Sequence, residues 1–443
     1  MSTSARTRFL RNLAAAFLSG TWTARAMSAA ARKATGQRLR WVPALVRRLR
    51  TVFPEPPPFE RLLSFIHQDA GVGRVQVSSY SIRQAFAPPA VMAEPPAAMG
   101  PLTIPGLPTE AALAEWLGVS AGRLRWYADV AGRNRKHPAG PLRTYCYRWV
   151  PKPGGRSRLL EIPTGGLKQL QRKVLAGILN AIPPHPAAHG FRPGRSIVTN
   201  AAPHCGKQVV LRLDLTDFFP GVPAAKVVRI FRTVGYPEMV ARLLAGLCTT
   251  RLPADVWDAR PNPPRDGTDH AAWQRFAARH LPQGAPTSPA LANLVSFRFD
   301  RRLAKLASTV GADYTRYADD LSFSGGEELA RGAKRLAHLV AVIAGEEGFA
   351  VNHRKTRAMG RGGRQSVTGV VVNLRPNVPR IEFDRLKAIL TNCVRHGPAS
   401  QNRANHPDFR AHLAGRVSHA AMVNPARGRK LWALFDRIAW RPA

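Results

Sequence analysis

Two periodicities divide this chain: short runs in which apolar and polar residues alternate, and longer ones in which apolar residues recur every three or four positions. Asp313-Tyr314-Thr315-Arg316 is compatible with a strand, and Leu321-Ser322-Phe323-Ser324 alternates as a strand does. Together they predict a hairpin with Tyr317-Ala318-Asp319-Asp320 at its tip. Val209-Val210-Leu211-Arg212-Leu213-Asp214 reads as a buried strand whose last residue is a carboxylate. The stretch 145–162 alternates around Lys152-Pro153-Gly154-Gly155-Arg156-Ser157-Arg158, which predicts a second hairpin with a tight basic turn.

Helical spacing appears elsewhere. Glu110 to Asp129 predicts two short helices around Gly118, with Leu113, Trp116, Leu117 and Leu124 in the core. Gly165 to Leu179 predicts an amphipathic helix carrying Lys168, Arg172 and Lys173. Leu281-Pro282-Gln283-Gly284-Ala285-Pro286-Thr287-Ser288-Pro289 reads as a bend that opens a helix, with a hydroxyl cap and Pro289 at the first position. Leu291, Leu294, Val295, Phe299 and Leu303 give that helix its apolar stripe. Asp384 reads as the cap of a helix bearing Leu386, Ile389, Leu390, Cys393 and Val394 and stopping at Gly397. A last helical region spans 428–440.

Residues 1–54 hold no Asp or Glu, while arginines punctuate their Ala-rich and Leu-rich stretches. They read as an amphipathic arm, nucleic-acid-binding or partly disordered, rather than a targeting peptide. Pro54-Glu55-Pro56-Pro57-Pro58 ends the arm, 88–108 is a second Pro/Ala-rich linker, and 249–280 reads as an insertion. No run approaches the roughly 20 apolar residues of a membrane span.

A length of 443 suggests two to four domains at about 150 residues each. Cys146, Cys205, Cys248 and Cys393 are scattered, with no Cys-x-x-Cys pair. Neither a disulfide framework nor a zinc site is indicated, and a cytoplasmic setting fits best. Formal charge is +39, from 66 Lys and Arg against 27 Asp and Glu. That balance points away from ordinary small-substrate enzymes and toward a polyanion, because Lys and Arg release the counterions condensed on phosphates.

The acids then acquire a chemical reading. Asp319 and Asp320 at a turn, with Asp214 at a strand end, supply hard oxygen donors for Mg²⁺. Two such ions about 3.5–4 Å apart activate an attacking hydroxyl and stabilise a leaving pyrophosphate. Taken alone, the adjacent pair also reads as an ordinary solvated turn, and the basic hairpin as solvated arginines.

The order of basic hairpin, Asp-x-x-x-x-Phe strand, Leu-Pro-Gln-Gly bend and Tyr-Ala-Asp-Asp turn resembles the fingers and palm of reverse transcriptases, across residues 145–375. The resemblance implies an α/β (α+β) right-hand polymerase, an RNA-directed DNA polymerase. Its parts would be a basic N-terminal extension over 1–108, N-terminal helices and fingers over 109–208, an antiparallel-sheet palm over 209–375 and a helical thumb over 376–443. It implies that Asp214, Asp319 and Asp320 are catalytic and bind two Mg²⁺ ions. Phe219 matches the family's steric gate against the ribose 2′-hydroxyl. Gln283 and Gly284 match the bend at the incoming nucleotide, while Lys152, Arg156 and Arg158 match residues that grip the triphosphate. Lys355, in Asn352-His353-Arg354-Lys355-Thr356, matches a candidate general acid for pyrophosphate.

Two further elements are similar to the bacterial retron branch: Asn200-Ala201-Ala202-Pro203-His204, fitting Asn-Ala-x-x-His, and Val367-Thr368-Gly369. Structurally, His204 also reads as a core or capping histidine, and Thr368-Gly369 as a strand bend. The retron resemblance implies a cognate noncoding RNA as template and primer, deoxynucleoside triphosphates as substrates and branched multicopy single-stranded DNA as product. It also implies an effector protein as partner, a role in phage defence and no membrane association. Two alternatives stay open at this level: a group II intron-like or CRISPR-associated reverse transcriptase, and a non-catalytic RNA-binding scaffold that restrains an effector.

Overall fold

The computed structural model describes residues 5–76, 80–88, 90–137, 140–151, 157–261 and 269–440. It divides into two compact units, Met1–Ala93 and Glu94–Ala443.

The first unit is helical: α1 (Ala5–Leu18), α2 (Ala24–Thr35), α3 (Val42–Val52), α4 (Phe59–Gln68) and the single turn α5 (Ala70–Gly73). Thr23 caps α2 by accepting from the Ala26 amide, and Gly36, at φ 74°, closes it in the left-handed region. Phe9, Leu10, Leu13 and Phe17 of α1 pack with Leu45, Val46 and Leu49 of α3 and with Leu62 and Ile66 of α4. Arg48 grips Asp69 through two bonds of 2.7 and 2.8 Å, and Asp69 caps α5 through the Val72 amide. The expected arm is therefore a folded unit. Its apolar positions find partners in the segment beyond Pro58.

The second unit begins with α6 (Glu110–Leu117) and α7 (Ala121–Ala128), capped by Thr109 and Ser120. The hairpin of β1 (Tyr145–Pro151) and β2 (Ser157–Pro163) follows, in the register Tyr145↔Pro163 to Pro151↔Ser157. Lys152 and Arg156 lie outside the described residues. Next come α8 (Gly165–Gly177), α9 (Ile197–Ala201), β3 (Val209–Asp214), α10 (Ala224–Thr233) and α11 (Glu238–Cys248). The stretch read as an insertion carries α12 (Ala254–Asp258) and α13 (Asp269–Ala277). Its Trp257 packs with Trp149 and Leu159 of the hairpin and with Trp273 and Phe276.

The helix expected to run from Pro289 through Leu303 is two helices, α14 (Ser288–Val295) and α15 (Phe297–Thr309), separated at Ser296. Leu291, Leu294, Phe299 and Leu303 are buried as expected, but the hydroxyl cap is not made, and Ser288 Oγ donates to the Pro282 carbonyl instead. After them come β4 (Asp313–Tyr317), β5 (Asp320–Gly325), α16 (Glu327–Glu346), β6 (Arg357–Gly360) and the short strands β7 (Ser366–Val367) and β8 (Val370–Val371). The main sheet is antiparallel, in the order β4-β5-β3-β6. Val210 lies in a core cluster with Val367, Val370, Leu386 and Leu413, while Leu211 and Leu213 point to the opposite face. Burial on both sides explains the near-continuous apolar run.

The chain ends with α17 (Arg380–His396), α18 (Phe409–Val423) and α19 (Pro425–Phe435). Asp384 does not cap α17, which starts four residues earlier behind Pro379, leaving Asp384 3.5 Å from Arg380 on the next turn. Gly397 does end it. The last helical region starts at Pro425 under an Asn424 cap, and α18, capped by Asp408, was not foreseen. Mixed helices with antiparallel sheets match the expected α/β class. No helix among the described residues is long and apolar enough to cross a membrane.

Candidate active site

Antiparallel pairing of β3 with β5 sets Asp214 directly opposite Asp320. Directly opposed residues have their Cα atoms about 4.5–5.5 Å apart and project to the same face. Asp319 precedes β5 at the hairpin tip, and its carbonyl accepts from the Leu215 amide at 2.9 Å. A single backbone ladder thus gathers three acids from positions a hundred residues apart.

Each carboxylate meets positive charge. Asp214 Oδ2 accepts from Lys355 Nζ at 2.8 Å, and its Oδ1 lies 3.5 Å from the Asn352 amide nitrogen. Arg212, diagonal to Asp320 across the two strands, donates to its Oδ1 at 3.2 Å. Burial raises the Asp319 pKa above its ordinary value, and the charges of Asp214 and Asp320 raise it further, while Lys355 offsets part of the rise. With Asp214 and Asp320 close enough to oppose the ionisation of Asp319, the three offer oxygen donors only, the kind hard divalent cations take. Among the described residues no group of three or more His, Cys, Asp and Glu is gathered closely enough to hold a metal ion by itself. Mg²⁺ does not need one, because it keeps waters and takes substrate phosphate oxygens. The residues fit a divalent ion in that open manner.

The tip is held from behind. Ala318 sits at φ 56°, a conformation disfavoured for a residue with a Cβ. Its carbonyl accepts from Arg316 Nη1 at 3.0 Å. Arg316 is fully buried, forks onto the equally buried Asp300 at 2.7 and 2.6 Å, and also donates to Asn293 Oδ1. Asn293 in turn donates to the Gly190 carbonyl at 2.8 Å. Gly190 packs so closely on the tip that a Cβ there would stand 2.8 Å from the Ala318 nitrogen.

Around this centre, Phe219 lies 6.3 Å from the ring of Phe191, which is itself 6.1 Å from Tyr317, so three rings line the approach to the tip. The Gln283 bend is stitched to β2: the Glu161 amide donates to the Gln283 carbonyl, and the Gln283 amide donates to Glu161 Oε2. Glu161 is wholly buried and meets His280 at 3.1 Å. Burial opposes the charge on His280, but the Glu161 carboxylate outweighs it and leaves the pKa raised. Gly284 is exposed on the bend, and Arg158 is exposed on β2 opposite Val150.

The two short elements meet in space. Asn200, fully buried, reaches Thr368 Oγ1 at 3.5 Å across 168 residues. Ala201 and Val367 share one core cluster. Thr368 and Gly369 both have positive φ, 46° and 82°, the conformation of a type I′ two-residue hairpin turn joining β7 to β8. His204 is a satisfied core histidine: its Nδ1 and Nε2 each lie 2.7 Å from a hydroxyl, of Ser324 and Thr315. Because Thr315 donates its own proton to the Asn200 carbonyl, it accepts from Nε2. Burial lowers the His204 pKa to about 4.

Arg212, Arg316, Asp300, Asn293, Glu161 and His280 were not singled out by sequence. Local pattern makes Arg316 a strand residue and nothing more. Its burial depends on a carboxylate sixteen positions away on another element, a relation no local pattern carries.

Residues 150–374 match the family model described as reverse transcriptase (RNA-dependent DNA polymerase). The chain is 44% identical over 331 residues to the retron Mx65 reverse transcriptase of Myxococcus xanthus, covering 74% of this chain and 71% of that one. It is 36% identical over 342 residues to the retron Mx162 reverse transcriptase of Myxococcus xanthus, covering 74% and 66%. It is 34% identical over 287 residues to the retron Ec86 reverse transcriptase of Escherichia coli, covering 65% and 78%.

Proposed function

The chain belongs to the bacterial retron reverse transcriptases, RNA-directed DNA polymerases, and from that premise we propose that it copies one cognate noncoding RNA into branched, RNA-linked single-stranded DNA that serves in phage defence. The family works on an RNA template, makes a DNA product and uses divalent metal ions. The observation that carries the catalytic reading is the Asp214↔Asp320 register with Asp319 at the adjoining tip.

In this reading Asp214, Asp319 and Asp320 hold two Mg²⁺ ions. Bound there, the pair would lower the pKa of the primer hydroxyl and neutralise charge on the leaving pyrophosphate. The protein's own residues do the rest. Lys355, 61% exposed beside Asp214, is placed to give a proton to pyrophosphate. Phe219 bars a 2′-hydroxyl, Gln283 and Gly284 border the nucleotide, and Arg158, with Lys152 and Arg156, grips its triphosphate. Asn200, Ala201, His204, Val367, Thr368 and Gly369 act by packing: they lock α9 and the β7-β8 hairpin against the sheet. The working parts would be fingers over 109–208, palm over 209–375 and thumb over 376–443. An effector protein completes the defence complex.

Primer extension on an RNA template with Mg²⁺ tests the catalytic reading by comparing the wild type with Asp319→Ala/Asp320→Ala. Incorporation by the wild type alone is expected. Equal incorporation by both proteins, or by neither, rejects the assignment. Sequencing nucleic acid copurified with the protein tests the template, and recovery of only random cellular RNA counts against a dedicated one.

A further inference from the structure

The first unit concentrates positive charge. Residues 1–93 carry 14 Lys and Arg against three Asp and Glu. Two of those acids are engaged by other cations: Asp69 is held by Arg48, and Glu60 lies 3.8 Å from Arg11. At the carboxyl end of α2 the fold gathers five exposed cations from two distant stretches. Arg32 and Lys33 come from the last helical turn, and Arg38 and Arg40 from the connection to α3. Arg83 is brought back by a bond from its amide to the Ala34 carbonyl at 2.8 Å. Its side chain lies across Gly36 so closely that a Cβ there would be 2.5 Å from Cδ. The α2 carbonyl end offsets only about half a charge.

The rings of this unit face inward. Phe9 packs on Tyr80, Phe53 on Phe65, and Trp22 Nε1 donates to the Phe53 carbonyl. Binders of single strands add exposed aromatic platforms to their basic grooves, on which bases stack. Here the described residues offer cations on a rigid helical corner without such a platform. That combination suits phosphates at fixed spacing, the backbone of a duplex.

We propose that the α2–α3 corner of the N-terminal unit is a second RNA-binding surface, which grips the phosphate backbone of an RNA helix without reading its sequence. It rests on the RNA-dependent activity for the identity of the polyanion, and on geometry for the rest. Most of the contacting groups are arginines, whose planar forks match phosphate oxygens.

The test uses the full-length protein and its Lys33→Gln/Arg38→Gln/Arg40→Gln/Arg83→Gln variant, with R38Q/R40Q as a milder second form confined to the connection. Binding to a blunt-ended RNA duplex is measured against salt concentration. Each lost phosphate contact should flatten the log–log salt slope by roughly 0.9, so the fourfold variant should lose about 3.6 and the double variant about 1.8. Primer extension on a pre-annealed template at saturating protein should stay at the wild-type rate. Unchanged slopes in both variants overturn the proposal. So does loss of primer extension in step with binding, which would put these cations at the polymerase centre. Retained RNA binding with lost binding to phosphatidylserine and phosphatidylcholine vesicles would assign the corner to a lipid surface instead. The binding assay involves no polymerisation, so it stands or falls independently of the three aspartates.

Discussion

Replacing Arg316 by Lys separates holding the hairpin tip from merely filling the core. The guanidinium makes four bonds at once: two to Asp300, one to Asn293 and one to the Ala318 carbonyl. An ammonium keeps the charge beside Asp300 but cannot span to Ala318, whose left-handed conformation then loses its support. A hydrogen bond from a charged donor contributes about 1.5–3 kcal/mol net. Its loss therefore corresponds to roughly a ten- to hundredfold drop in occupancy of the productive tip. Primer extension at saturating nucleotide should slow by that factor, and the Mg²⁺ concentration for half-maximal rate should rise, at a temperature where circular dichroism shows the variant folded. Tyr314→Phe is the control. It removes the 2.8 Å bond to Asp300 and the hydroxyl's interaction with Arg316 but leaves the Arg316 bond to Ala318 in place, and should cost about 1.5–3 kcal/mol of stability with no change in rate. A folded Lys variant with wild-type rate and metal dependence, or a Tyr314→Phe variant slowed equally, would refute the argument. Arg316→Ala is less informative, because stranding the buried Asp300 costs about 3–5 kcal/mol and threatens the fold itself.

Two other outcomes follow from the same geometry. His204 has its folded pKa depressed to about 4, so as pH falls through 6.5 the unfolded chain takes up a proton that the native ring refuses. Its stabilising contribution is full above 6.5 and is lost between 6.5 and about 4, by about 3 kcal/mol; denaturant titrations of wild type and His204→Gln should differ in slope over that window, and parallel curves would exclude the ring as the titrating group. Phe219→Ala opens the ring cluster with Phe191 and should raise ribonucleotide incorporation by tenfold or more relative to deoxynucleotide, which competition assays on one template would measure; unchanged discrimination would remove Phe219 as the gate.

What could be read from the sequence is what local periodicity encodes. The β3 run, the β4-β5 hairpin and its acidic tip lie where alternation and turn chemistry put them. The break at Ser296 was invisible, because the apolar stripe stays in phase across it and the Ser296 and Asp300 amides still bond four residues back. In the first unit, charge masked a core: Leu10, Leu13 and Phe17 have a helical period, but their partners Leu62 and Ile66 lie beyond a Pro-rich stretch that reads as an ending. Asn200 and Thr368 could be matched to separate elements by sequence, yet their meeting is a property of the fold alone.

The same limit explains why the acids were legible and most of their environment was not. Asp214, Asp319 and Asp320 have a pattern and Lys355 stands in a matched motif, whereas Arg212 looks like one more cation in a chain that has 66 Lys and Arg. In the fold Arg212 and Lys355 are distinct, since each is spent on one of the three acids. Asp319 is compensated less directly: burial and two neighbouring carboxylates disfavour its charge, while a hydrogen bond from its own backbone amide and, more weakly, the Lys355 charge work the other way. A site so arranged is short of positive charge at one oxygen pair while supplied at the others. Added cationic charge would relieve it most at the hairpin tip, the element that Arg316, Asn293 and Gly190 hold in place.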